Sequence, residues 1–110
     1  ADESNFLFVC EAGGSVVGYA DTWCVLDEAT ITNIAVREDF RGRGIGAMLL
    51  KESLNEAGRR DIAAVTLEVR KSNVPAIRLY EKFGFESVGI RPGYYEKPTE
   101  DAIIMWKYSL

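Results

Sequence analysis

The stretch RGRGIGAMLLKESL, Arg41 to Leu54, combines a glycine-rich turn with the start of an amphipathic segment. Three glycines and two arginines precede an amphipathic run, which predicts a helix from about Ile45 to Ala57, with Gly58 as its terminator. Amides at a helix N-terminus lack partners within the helix and carry partial positive charge. Glycine lets the main chain approach a ligand closely, because no Cβ intervenes. The stretch therefore predicts a binding site for a phosphate or pyrophosphate.

The glycine turn has three other interpretations. The simplest is a glycine-rich connection with solvent-exposed arginines. A Walker A loop is excluded, because it requires Gly-Lys followed by Ser or Thr. A dinucleotide-binding fingerprint, G-x-G-x-x-A, fits Gly42, Gly44 and Ala47, with Glu68 where a ribose-binding acid could lie. This remains a minor alternative, because residues 37–41 separate the turn from its strand and the upstream strands look antiparallel.

Composition narrows the class of protein. The chain has 110 residues, which predicts one domain over 1–110, and its 47% hydrophobic and 27% charged residues are typical of globular proteins. The net charge of −4 argues against a nucleic-acid partner, whereas Arg37, Arg41 and Arg43 suit a small anionic ligand. No apolar run approaches the roughly 18 residues that span a bilayer, and no signal peptide opens the chain. We expect a cytoplasmic protein without a membrane partner.

The reactive side chains limit the possible chemistry. The sequence contains no histidine, which removes Ser-His and Cys-His catalysis and most zinc sites, so we expect no metal. A hairpin turning at Gly13-Gly14 would place Cys10 near Val17, and Cys24 would pair beyond the opening residues of the chain. The two cysteines are therefore expected to be reduced core thiols. Any acid or base must be Glu, Asp, Tyr, Lys or Cys.

The order of elements predicts an α+β fold. Strands are expected at Phe6–Glu11, Ser15–Leu26, Ala29–Arg37, Ala63–Arg70, Glu86–Ile90 and Ala102–Tyr108, with the last two joined by a loop holding Pro92, Gly93 and Pro98. A second helix is expected after Ser72-Asn73-Val74-Pro75, which combines a capping side chain with a proline of the first turn, and it ends near Phe83. The order β-β-β-α-β-α-β-β indicates one mixed, mostly antiparallel sheet flanked by helices.

Several motifs resemble one family. The turn from Arg41 to Gly46 matches the Q/R-x-x-G-x-G/A signature of the GCN5-related N-acetyltransferases at every fixed position. The segments VLDEATITNIAV, LEVRKSN, RLYEKFGF, GYY and EDAIIM are similar to the ribosomal-protein alanine acetyltransferases and their archaeal relatives. The resemblance covers nearly the whole chain. It departs at the start, because the family opens with a strand and two helices before the Phe6 strand that have no counterpart here.

The resemblance implies acetyl-coenzyme A as cosubstrate. Its pyrophosphate would lie on the amides of the turn, and its pantetheine would pair with the third strand, where a main-chain N–H would bind the acetyl carbonyl. Asn73 would hydrogen-bond the coenzyme, besides serving as a helix cap. The implied coenzyme-binding residues are Ile34, Ala35, Val36, Arg41, Gly42, Arg43, Gly44, Ile45, Gly46 and Asn73.

The resemblance also implies the catalytic pair. Direct transfer of acetyl from a thioester to an amine needs a base for the amine and an acid for the leaving thiolate. Glu68 matches the family's general base and Tyr80 its general acid. The strand pattern alone favours a solvent-facing Glu68, paired for example with Arg70. Tyr80 read alone is a core residue, since it lies one helical turn from Ile77.

The implied acceptor is a protein N-terminus, such as that of a ribosomal protein. A terminal amine titrates about 2.5 units below lysine, so its deprotonation costs roughly 3.4 kcal/mol less. Tyr94 and Tyr95 match a loop that contacts the acceptor, although they could equally shield the sheet end. Asp27 and Glu28 could attract a cationic second residue or form a solvated hairpin tip. A small-amine acetyltransferase and a non-catalytic coenzyme-A-binding module remain open alternatives.

Overall fold

The computed structural model describes residues 3–110 as a six-stranded sheet with two helices. The strands are β1 (Glu3–Ala12), β2 (Ser15–Val25), β3 (Glu28–Val36), β4 (Ala64–Arg70), β5 (Glu86–Tyr95) and β6 (Glu100–Lys107). The helices are α1 (Ile45–Arg59) and α2 (Val74–Lys82), and a 3₁₀ turn covers Glu38–Phe40. The predicted order of elements and the α+β class are confirmed.

The sheet is mixed and mostly antiparallel, with the strand order β1-β2-β3-β4-β6-β5. Only β3 and β4 pair in parallel, because the crossover through α1 returns the chain in the same direction. Alternation along β4 is as predicted: Val65, Leu67 and Val69 are buried, whereas Glu68 and Arg70 are partly exposed on the other face.

Both helices pack on the same face of the sheet. One core cluster joins Leu50 of α1 and Tyr80 of α2 to Leu67 on β4 and Met105 on β6. Across the described residues, 3–110, no helix covers the opposite face, where Leu7 is 59% exposed. None of the described helices is long and apolar enough to cross a membrane.

The fork between β3 and β4 is the feature that positions the site. These strands pair only from Glu28–Ile31 against Ala64–Leu67 and then diverge. A bulge in the β2–β3 pairing follows directly, because Thr22 faces Ile31 while Asp21 faces Asn33. Bulges bend a strand and increase its twist. The carboxyl halves of β3 and β4 are therefore splayed, with a gap inside the sheet between them.

Three details differ from the sequence-based expectation. Helix α1 continues through Gly58 and ends at Arg59. Gly58 keeps a helical conformation, and the first left-handed residue after the helix is Asp61, at φ 59°. Strand β5 extends to Tyr95 through the segment expected to be a loop, which it accommodates by register shifts against β6. Cys10 faces Gly18 on β2. Cys24 faces Ser4, because β1 begins at Glu3, earlier than predicted. Both thiols are free.

Candidate functional site

A cleft of about 510 Å³ lies at the fork in the sheet, between the N-termini of the two helices. All of the residues predicted to bind a coenzyme line it except Arg43, and Tyr80 lines it as well. Four lining residues were not predicted, because only helix geometry brings them there: Phe40, Pro75, Ala76 and Leu79. The glycine turn, the end of β3 and the start of α2 thus form one continuous wall.

The glycine turn presents a row of free main-chain donors. Within residues 3–110, the six amides from Gly42 to Ala47 have no main-chain or side-chain acceptor, and the first bond is Met48 N–H to the Gly44 carbonyl, at 3.0 Å. Gly42 and Gly44 both have φ 78°, a left-handed conformation that most other residues resist. Nothing described lies within 4 Å of a Cβ built on either glycine. The row is an open cradle that suits a diphosphate.

The three arginines near this turn play different parts from those expected. The amide of Arg41 is already bonded to the Glu38 carbonyl at 3.3 Å, and its Nε donates to the Val36 carbonyl at 3.1 Å. The Arg41 amide therefore already has a main-chain acceptor, unlike the amides that follow it in the turn, and its contact with a phosphate stays a prediction. The Arg43 guanidinium stacks on the Phe40 ring at 4.6 Å, and the Arg37 guanidinium also lies over this ring at 4.8 Å. The stacking on Phe40 explains why the Arg43 side chain lies outside the cleft wall.

The start of α2 forms the second side of the cleft. Asn73 is the N-cap, as predicted, and its Oδ1 accepts a bond from the Ala76 amide at 3.3 Å. Tyr80, two turns later, is only 6% exposed and packs edge-on against Phe85 at 5.9 Å, yet it also lines the cleft. Tyr80 is therefore both a core residue and a residue of the cleft.

Burial raises the pKa of Tyr80 to about 12, with a smaller contribution from nearby Tyr95. The phenol is protonated at neutral pH, as an ordinary tyrosine also is, so it holds a proton that could be transferred, although the raised pKa makes it a weaker acid. The pKa of Tyr80 is higher in the folded protein than the value near 10 in the unfolded chain. The contribution of this group to folding stability is therefore complete below pH 10 and is lost as the pH rises from 10 to 12.

We expect ionisation of Tyr80 to lower the free energy of unfolding by about 1.4 kcal/mol at pH 11, and by no more than about 2.7 kcal/mol at higher pH. Tyr80→Phe should lack this part of the decline. Denaturant titrations between pH 8 and 11.5 would measure it for both proteins. Parallel curves for the two proteins would contradict the assignment.

Glu68 lies at the fork itself, one residue beyond the last β3–β4 pair. Its side chain is 25% exposed and pairs with Arg91 of β5, from Nε to Oε2 at 2.7 Å and from Nη2 to Oε1 at 3.4 Å. The expected partner, Arg70, instead bonds Glu100 at 3.3 Å. Arg91 was missed by the sequence analysis, since no local spacing links β5 to β4.

Tyr94 and Tyr95 stand beside this pair. Their rings meet edge to face at 5.0 Å; Arg91 lies over Tyr94 at 5.3 Å, and Arg70 over Tyr95 at 4.5 Å. Burial raises the pKa of Tyr95, and Glu68 adds to the shift through its negative charge. The two tyrosines therefore lie beside the Glu68–Arg91 pair, at the end of β5.

Arg70 holds in place the end of β5 and the turn that follows it, residues 94–99, which we call the tyrosine loop. Its Nη1 donates to the Pro98 carbonyl at 3.2 Å and its Nη2 to the Glu96 carbonyl at 3.1 Å. Glu100 also accepts a bond from the Ser72 amide, next to the cap of α2. This network physically joins the tyrosine loop to the wall of the cleft.

Asp27 and Glu28 lie elsewhere. The Asp27 carbonyl accepts the Ala63 amide at 2.7 Å, and Glu28 faces Ala64 at the start of β4. Four residues of strand, about 13 Å, separate that position from Glu68. The structure therefore supports the exposed hairpin tip and not a role near the acceptor.

Comparison with known proteins agrees with this geometry. Residues 1–85 match the model of the Acetyltransferase (GNAT) family. The chain belongs to the GNAT family. It is 46% identical over 107 residues to the [ribosomal protein bS18]-alanine N-acetyltransferase of Escherichia coli strain K12, covering 94% of this chain and 71% of the relative. The chain spans about two thirds of the length of the relatives it matches.

Solved structures of other GNAT proteins share the fold. The ribosomal-protein-S18-alanine N-acetyltransferase from Escherichia coli superposes with a TM-score of 0.90 at 42% identity, covering 96% of this chain and 70% of that one. A GNAT family acetyltransferase from Elizabethkingia anophelis with acetyl-CoA bound gives 0.84 at 25% identity, covering 96% and 76%.

The cleft of this GNAT chain fits acetyl-coenzyme A, the cosubstrate of the family. The amides from Gly42 to Ala47 would hold the diphosphate. The edge of β3 that no longer pairs with β4, over Ile34–Val36, would face the pantetheine, while the other edge of this segment pairs with β2. The Val36 carbonyl already accepts a bond from Arg41, so the ligand can use only those main-chain groups of Ile34–Val36 that bond neither Arg41 nor β2.

Proposed function

We propose that this chain is an acetyl-coenzyme-A-dependent N-acetyltransferase that acetylates the terminal α-amine of a protein, with residues 1–110 as one acetyltransferase domain. The free amide row of the glycine turn carries this proposal, because it opens into the same cleft that Tyr80 lines. Glu68 is outside that lining and directly follows the last β3–β4 pair. The name of the Escherichia coli relative supports the α-amine of a ribosomal protein as the acceptor class.

Each residue has a defined part in the transfer. Acetyl-coenzyme A supplies an activated acetyl group when bound. Main-chain N–H groups at the end of β3 polarise the acetyl carbonyl. Glu68 accepts the proton that the attacking amine loses, directly or through water. Tyr80, protonated at neutral pH, donates its phenolic proton to the departing thiolate.

The acceptor reaches this centre from the side of the tyrosine loop. Tyr94 is 50% exposed beside the Glu68–Arg91 pair, and it offers an aromatic surface to an incoming peptide. Tyr95 is more buried and helps fix the loop through Arg70. A chain-terminal amine suits this site because it is more easily deprotonated than a lysine.

The decisive assay incubates the protein with acetyl-coenzyme A and one of three additions: peptides beginning Ala-Arg, spermidine, or buffer. We expect free thiol to appear only with peptide, and mass spectrometry to place the acetyl group on the α-amine. Thiol release with spermidine alone would replace the proposal with a small-amine acetyltransferase. Coenzyme binding without turnover on any amine would indicate a non-catalytic module.

The Arg70 network allows a separate prediction. Arg70→Met removes the bonds to the Glu96 and Pro98 carbonyls and the stack on Tyr95. We expect the KM for peptide to rise about tenfold as the loop loses its fixed position, with a smaller change in kcat. Steady-state kinetics at saturating coenzyme would measure both constants.

Arg59→Met is the matched control, since Arg59 pairs with Glu56 on the surface of α1. Its kinetics should equal those of the unmodified protein. An unchanged peptide KM in Arg70→Met would remove the loop from acceptor binding.

A further inference from the structure

The carboxylate of Glu68 is held by a two-point contact. Arg91 donates from Nε to Oε2 at 2.7 Å and from Nη2 to Oε1 at 3.4 Å, so one guanidinium edge faces both oxygens. A contact of this kind fixes the plane of the carboxylate as well as its position. Each oxygen keeps a further lone pair, which can accept a bond from an amine or a water.

Arg91 reaches Glu68 from two strands away. Strand β6 lies between β4 and β5, so the side chain spans roughly 10 Å of sheet. Opposite Arg91 on β6 is Ala102, whose small side chain leaves a path across the sheet. Only arginine or lysine is long enough to make this contact.

The local structure of β5 aims Arg91 at its target. Between Arg91 and Tyr95, the strand carries two more residues than the facing segment of β6, from Ala102 to Glu100. The Gly93 amide donates to Asp101 Oδ1 at 3.0 Å and fastens this bulge. Tyr94, which lies within the bulge, covers the guanidinium at 5.3 Å. Bulges beside active sites commonly redirect a side chain in this way.

We propose that Arg91 is a positioning residue for the transfer reaction: it fixes the carboxylate of Glu68 toward the incoming amine and couples it to the tyrosine loop. This inference rests on the proposed function. A purely structural role does not account for the contact, because the Arg91 side chain is 54% exposed and exposed ion pairs add little to folding stability.

The test compares Arg91→Gln with Arg91→Lys. We expect Arg91→Gln to lower kcat for peptide acetylation at least about tenfold, since small displacements of a reacting group cost that much or more. Coenzyme affinity should stay the same, and the melting temperature should change by no more than about 2 °C. Arg91→Lys should recover part of the rate, because lysine reaches the carboxylate but supplies a single point of contact.

A double variant separates positioning from other effects. In a Glu68→Gln background, Arg91→Gln should cause no further loss of kcat, because the group that it orients is gone. Arg59→Gln serves as a control for removing a surface arginine, and its kcat should be unchanged. Full additivity of the two losses, or an unchanged kcat in Arg91→Gln, would overturn the proposal.

A crystal structure of Arg91→Gln supplies a readout that does not depend on turnover. We expect the Glu68 side chain to leave its position or to occupy several rotamers. A Glu68 carboxylate that stays in place would also overturn the proposal. If the unmodified protein transfers acetyl to no amine, the proposed function fails, whereas this structural comparison still decides whether Arg91 positions Glu68.

Discussion

We expect Glu68→Gln to slow acetyl transfer to peptide about 10²-fold or more, while coenzyme binding keeps its original affinity. General-base catalysis contributes about this much, and glutamine retains the shape of the side chain without the ability to accept the proton. Glu68 borders the cleft at the fork but is not part of the wall that faces the coenzyme. Stopped-flow or steady-state thiol release would measure the rate, and calorimetry would measure the affinity.

Glu52→Gln is the matched control, because Glu52 is an exposed carboxylate on α1. Its rate should equal that of the unmodified protein. Turnover in Glu68→Gln within a factor of two or so of the unmodified rate would remove Glu68 from the role of base.

A second large effect is expected from adding one negative charge to the glycine turn. Gly44 is the N-cap of α1, with φ 78°, and asparagine and aspartate are the residues that best tolerate both conditions. Gly44→Asn and Gly44→Asp have nearly the same shape and differ in charge. At about 5 Å and an effective dielectric constant near 20, repulsion from one phosphate charge is about 3 kcal/mol.

We therefore expect Gly44→Asp to bind coenzyme A about a hundredfold more weakly than Gly44→Asn. The difference should shrink as salt is added, since ions screen charges near the surface. Circular dichroism would verify that α1 forms in both variants. Equal affinities for the two proteins would mean that the diphosphate lies away from the free amides.

The parts of the site that depend on local patterns could be predicted from the sequence. The glycine turn, the Asn73 cap and the alternation that places Glu68 apart from Leu67 all arise from neighbouring residues. The family signature added the coenzyme and the roles of Glu68 and Tyr80. Tyr80 lines the cleft, whereas Glu68 lies at the fork outside that lining, and both roles stay predictions for the kinetic tests above.

The parts that depend on distant strands could not be predicted in this way. Arg91 and Glu68 are 23 residues apart, and Arg70 and Glu100 are 30 apart; their pairing follows from β6 inserting between β4 and β5. The sequence predicts a loop where β5 has its bulge, because Pro92 and Gly93 are typical of loops and of bulges alike. The fork itself has no local signature, since each strand is regular when read alone.

The partial pairing of β3 and β4 implies that the two halves of each strand have different roles. Their first halves, Glu28–Ile31 and Ala64–Leu67, close the sheet and fill its core, so substitutions there should mainly lower thermal tolerance. Their second halves give up mutual hydrogen bonds and leave main-chain groups free for a guest molecule. Apart from Val69, which is buried in the core, and Ile34, which packs against it, changes there should alter what the protein does more than whether it folds. The remaining positions at this end of the fork are where new specificities could evolve at little cost to the scaffold.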